Sequence, residues 1–188
     1  MGNVSPLFVL TFQGGIVVVA FAAMLLFGIK IDSGGMTTVA AVIWGTLGGV
    51  GTYIVLLALT RVDAFFPGQL QQHVSELRAF ARSFSYPMIV ALSALAGVGE
   101  ELLFRGVIQG GLSGVLTQPV AILVAALLFG AVHYLSSIYF LIATLLGVVL
   151  GVAYAVSGSI LVVMVWHGVY DLTAMVCLRR FPGLFDSR

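Results

Sequence analysis

Seven side chains in this chain carry the types and spacings that do chemistry: Glu100, Glu101, Arg105, Phe129, His133, His167 and Asp171. Glu100-Glu101-Leu102-Leu103-Phe104-Arg105 puts three formal charges into a stretch that otherwise reads as a membrane-spanning helix. A charge near the bilayer centre costs at least about 2.5–3.5 kcal/mol even on the mildest scale, so it persists where it is paired or faces a protein interior or wet cavity. Residues four apart on a helix share a face, and adjacent residues diverge by about 100°. Glu101 and Arg105 are therefore placed for an intrahelical ion pair, whereas Glu100 points elsewhere and is free to act as a base or a ligand. The same spacing sets Phe129 beside His133, and His167 beside Asp171, whose carboxylate can orient the imidazole. Counting from the cytoplasmic helix ends at ~1.5 Å per residue, these groups lie roughly 5–20 Å deep and can converge in one buried site shared by three helices.

The rest of the chain must supply those helices. It has 188 residues, 61% hydrophobic and only 8% charged, with a net charge of +1 and a mean hydropathy of +1.16. Soluble domains carry about 25% charged residues, so this composition predicts an all-α, polytopic transmembrane bundle in one membrane domain, with membrane lipid as its surround. No basic stripe exists to bind nucleic acid. The single Cys177 excludes an intramolecular disulfide and reads as a small apolar residue. The apolar run after Ser5 is longer than a signal h-region and no basic residue precedes it, so it reads as a retained helix.

Pro6, Pro87 and Pro119 each open an apolar run, a position where the missing N–H costs little. Six spanning helices are expected, over 6–28, 37–60, 87–112, 119–136, 138–156 and 159–178. Ser136-Ser137 and Ser157-Gly158-Ser159 mark tight turns, making the last three antiparallel neighbours. The organisation expected is two peripheral helices within 6–60, a polar connection over 61–86 and a four-helix catalytic core over 87–178. Within the connection, Leu70, Val74, Leu77 and Phe80/Ala81 recur at helical spacing, which suggests an interfacial amphipathic helix at 68–83; a plain solvated loop is the alternative. His73 there reads as solvated. Arg61, Arg78, Arg82, Arg179, Arg180 and Arg188 fall on one side and only Lys30 on the other, so both termini are expected in the cytoplasm. Gly106-x-x-x-Gly110-x-x-x-Gly114 and Gly147-x-x-x-Gly151 have the spacing of close helix packing.

At its polar residues the chain resembles the CPBP family, the CAAX-protease and bacteriocin-processing (Abi) membrane proteins. That family is marked by E-E-x-x-x-R, then F-x-x-x-H, then H-x-x-x-(N or D), with one unmarked helix before the last motif. Here these are Glu100-Glu101-x-x-x-Arg105, Phe129-x-x-x-His133 and His167-x-x-x-Asp171, and the unmarked helix is 138–156. The resemblance covers about 85–178. It implies an intramembrane endopeptidase of the glutamic type, metal-free and without a cofactor, acting on a tail or membrane-proximal segment of a protein or peptide. By resemblance Glu100 activates water with help from His133, and His167 and Asp171 hold the positions associated with oxyanion stabilisation. Glu101 and Arg105 shape the site, and Phe129 packs beside it. An ionised Asp171 has no donor for an oxyanion, so it is either protonated or holds His167 as the donor.

Other readings stay open. Glu100, His133 and His167 are three plausible Zn²⁺ ligands, although no H-E-x-x-H pair exists. Some relatives are thought to act without cleavage, as a scaffold or immunity protein bound to a partner membrane protein. A proton-coupled transporter also uses intramembrane Glu and His, but the six runs show no clear inverted repeat. The short core and loops look bacterial, which points to the inner membrane.

Overall fold

The computed structural model describes residues 5–30, 34–59 and 69–184. Within them the chain is helical apart from turns. We number the helices α1 Pro6–Phe27, α2 Thr38–Leu59, α3 Gln69–Arg82, α4 Tyr86–Leu112, α5 Gln118–Val132, α6 Ser137–Ser157 and α7 Ile160–Arg180. A 3₁₀ turn, Pro182–Leu184, follows α7. The six apolar runs all appear as helices close to their expected bounds, and the chain is an integral membrane protein. Five are long and apolar enough to cross a bilayer. The sixth, α5, has 15 residues, about 22 Å against a hydrocarbon core of about 30 Å. Its expected extent to 136 is not reached, because His133 leaves helical geometry (φ −98°, ψ 15°) and the chain turns at once into α6.

Local chemistry accounts for the ends. Pro6, Pro87 and Pro119 stand in the first turns of α1, α4 and α5. The Ser136 hydroxyl accepts from the Tyr139 amide to cap α6. Gly28 and Gly158 end α1 and α6 with φ near +63° and +64°, which favours glycine. The amphipathic α3 occupies 69–82 of the expected 68–83. Its C-terminal carbonyls, at Ala81 and Arg82, accept from the Arg179 guanidinium, which also lies over the Tyr86 ring. A cation at a helix C-terminus is favoured by the backbone dipoles as well as the hydrogen bonds. Arg61, Asp63 and Arg188 lie outside the described residues.

Helix order in space departs from helix order in sequence. α5 and α6 pack along their lengths as expected, but α7 meets α6 only lightly and packs mainly against α2 and α4. Small residues decide this. Gly45 and Gly49 of α2 lie so close to α7 that a Cβ would stand 2.7 Å from the Val162 carbonyl and 2.6 Å from the Trp166 carbonyl. Trp166 Nε1 also donates to Thr52 Oγ1 across this seam at 2.9 Å. On the other flank, a Cβ on Gly97 of α4 would meet the Met164 carbonyl at 2.5 Å and the Gly168 amide at 2.8 Å. The Gly147/Gly151 face packs as expected, against Ala126 and Ile122 of α5. Gly110 and Gly114 do not follow the expectation: the neighbours a Cβ would meet there are carbonyls of their own segment.

Candidate active site

α4 does not run as a uniform α-helix. Leu102–Gln109 is π-helical, bounded by α-helix on both sides. The Gly110 amide reaches back to the Arg105 carbonyl. Such wide turns are rare and concentrate at functional sites. This one begins immediately after Glu100-Glu101 and directs two polar side chains onto α6. Arg105 Nη2 donates to the Gly147 carbonyl at 2.9 Å, and Gln109 Nε2 donates to the Gly151 carbonyl at 3.0 Å. The missing Cβ atoms at Gly147 and Gly151 let α5 and α6 approach closely there, where a Cβ on Gly151 would lie 2.8 Å from Gln109 Oε1.

The seven residues singled out from sequence all come together. Glu101, fully buried, accepts from Arg105 Nη1 at 2.8 Å, the expected i,i+4 pair. The same oxygen, Oε1, lies 2.7 Å from His167 Nδ1. Glu101 therefore joins the arginine of its own helix to the histidine of α7. The close α4–α7 approach at Gly97 and Gly168 makes this reach possible, since each glycine lies within a turn of the polar residues it brings together. Asp171 stands beside His167 at the expected i,i+4 spacing, and Glu101 adds a second carboxylate on the other ring nitrogen. Asp171 Oδ2 is 3.5 Å from His167 Nε2, whereas the short hydrogen bond to the ring comes from Glu101. An i+4 carboxylate is obvious in a sequence; a carboxylate delivered by another helix is not.

Glu100 turns the other way, as expected, and meets three helices. Its Oε1 accepts from Gln13 Nε2 of α1 at 2.9 Å. Its Oε2 faces His133 Nε2 at 3.4 Å and His167 Nε2 at 4.0 Å. His133 Nδ1 lies 2.8 Å from the Phe129 carbonyl, so it carries the proton and Nε2 is left with its lone pair directed toward Glu100 in the neutral ring. Phe129 is the packing centre of the site. Its ring lies 4.4 Å from His133 and 5.8 Å from His167, centroid to centroid, meets Phe104 edge-on, and carries the Arg105 guanidinium 4.8 Å from its centroid. Glu100 and His167 are buried, while the side chains of His133 and Asp171 each keep 30% exposure. The site is thus a buried floor with two partly open walls, a form suited to holding a water between a carboxylate and an imidazole.

Sequence reading missed two participants, Gln13 and Gln109. The signal was available, because each is the one side-chain amide within the hydrophobic body of its helix. Among the described residues, no group of three His, Cys, Asp or Glu side chains has the arrangement of a metal centre.

Residues 82–173 match the family described as type II CAAX prenyl endopeptidase Rce1-like. Over that segment the chain is similar to the Rce1-like family. All seven motif residues fall inside the matched segment, which runs from the end of α3 into α7. A Bacillus subtilis (strain 168) protein described as uncharacterized protein YpbD is 32% identical over 131 residues, 68% of this chain. The chain spans 65% of that relative's own length. No solved structure matches it.

Proposed function

We propose that this Rce1-like protein is an intramembrane endopeptidase that hydrolyses a peptide bond with a glutamate-activated water. The observation that carries the reading is the convergence of His133 Nε2 and His167 Nε2, from two other helices, within 4.0 Å of Glu100 Oε2. Glu100 takes a proton from the water as its oxygen attacks the scissile carbonyl carbon. The carbonyl becomes a tetrahedral oxyanion. The C–N bond then breaks, and the proton passes from Glu100 to the leaving amine, giving one free carboxyl and one free amino terminus. His133 lies close enough to share in holding the water. His167 donates to the oxyanion. Because its Nδ1 is engaged by Glu101, its Nε2 is a donor only in the imidazolium form, and Glu101 and Asp171 flank the two nitrogens to balance that charge. Asp171 thus acts beside His167 rather than as the donor.

In this reading α4–α7 form the catalytic core and no metal or other cofactor is required. The substrate is a tail or membrane-proximal segment of a protein or peptide. Both termini face the cytoplasm of a bacterial inner membrane, and the basic ends of α3 and α7, with Arg78, Arg82, Arg179 and Arg180, mark that side. The test is a terminus-resolved membrane proteome of the host, wild type against Glu100→Gln. The expected result is that particular precursors accumulate uncut and their new termini disappear. If no terminus changes while Glu100→Gln rescues a deletion phenotype, the protein acts as a scaffold. Activity abolished by a chelator and restored by Zn²⁺ would replace the metal-free mechanism with a metalloprotease.

A further inference from the structure

α1 lies outside the segment that matches the family, and it holds a single side-chain amide, Gln13, in an otherwise apolar helix. That amide is placed on the residue on which the proposed chemistry turns. Gln13 Nε2 lies 2.9 Å from Glu100 Oε1, and a carboxylate accepts hydrogen bonds only, so it is the amide N–H₂ that must face it. The approach is built into the backbone. A Cβ on Gly99, the residue before Glu100, would lie 2.9 Å from Val17 Cγ2 and 3.1 Å from the Val17 amide nitrogen. Val17 is one turn along α1 from Gln13. Glycine at 99 therefore allows the two helices to touch at the one level where an amide on α1 can reach the carboxylate on α4.

The bond makes the two oxygens of Glu100 inequivalent. Oε1 is engaged by α1, and Oε2 is turned toward His133 and His167. A carboxylate on a glutamate has three rotatable bonds, and an unheld one samples orientations in which neither oxygen faces the histidines. We infer that Gln13 is a positioning residue for Glu100, holding one carboxylate oxygen so that the other faces the water and the two imidazoles. The site is then completed by a helix from outside the matched domain. This inference rests on Glu100 being the base, and the experiment separates the two claims.

The full chain is purified, returned to lipid vesicles and assayed on an internally quenched peptide library; the peptide that wild type cleaves fastest is used for kinetics. Wild type, Glu100→Gln, Gln13→Met and Gln13→His are compared, with melting curves to equalise folded protein. Methionine keeps the shape of glutamine and removes the donor, while histidine returns an N–H at similar reach. The expected result is no activity for Glu100→Gln, a fall of about 10- to 100-fold in kcat for Gln13→Met with KM within about twofold, and partial recovery for Gln13→His. Full activity in Glu100→Gln would remove the base and this inference together. An inactive Glu100→Gln beside a Gln13→Met equal to wild type would overturn the inference alone, as would equal losses for Met and His. If Gln13→Met fails to fold, Gln13→Leu, which also removes the donor and adds no charge, carries the same expectation.

Discussion

At the scale of single residues, two adjacent carboxylates divide the work because successive helix positions diverge. Glu101 is turned into a dry network, where one oxygen satisfies both Arg105 and His167. Removing one partner of a buried pair leaves an uncompensated charge, which costs about 3–5 kcal/mol. Glu101→Ala is therefore expected to destabilise the protein by that order in a reversible denaturation in detergent, and to abolish cleavage. Asp171→Asn is expected to keep measurable activity, because the short hydrogen bond to His167 comes from Glu101; comparing cleavage rates of the two variants checks the ranking. Arg105→Lys keeps the charge but loses the forked geometry that serves Glu101 and the Gly147 carbonyl at once, as well as the stacking on Phe129. A lowered melting temperature is expected, with loss of activity at matched folded amounts.

At the scale of elements, close approach at glycine is what brings distant side chains into register. Gly97→Ala would force a methyl against the Met164 carbonyl and separate α4 from α7, and Gly168→Ala would crowd the Ser93 carbonyl. Both are expected to lower stability by about 1–3 kcal/mol and to weaken cleavage further by pulling His167 from Glu101. Gly110→Ala, with no neighbouring helix in the way, is expected to leave the melting temperature unchanged or slightly raised. Apolar length and proline placement were enough to read the six runs, and i,i+4 spacing was enough to read the Glu101–Arg105 pair. Three things were not legible. The π-helical stretch packs against α1 and α5 and bonds to α6, contacts that no local propensity announces. The helix order in space depends on the Gly45/Gly49 face of α2, one glycine spacing among several that look equivalent in sequence. The bond from Gln13 to Glu100 joins positions 87 residues apart.

At the scale of the whole molecule, the bundle is uneven along the membrane normal. His133 ends α5 and touches Glu100, which lies 14 residues into α4, about 21 Å from its start. The α5–α6 hairpin therefore stops at the level of the site while α4 and α7 continue past it. Tyr134 and Leu135 are exposed at that level. A spanning element shorter than the hydrocarbon layer is accommodated by thinning of the bilayer, by snorkelling of flanking residues or by association with other helices. Thinning of the leaflet beside the short α5 would carry water and headgroups toward the depth of Glu100. Lipid acyl length would then bear on the proposed cleavage. Vesicles of short-chain phosphatidylcholine should support faster cleavage than long-chain ones at equal folded protein, and thickening the membrane should starve the site of its co-substrate, water, without changing a single side chain.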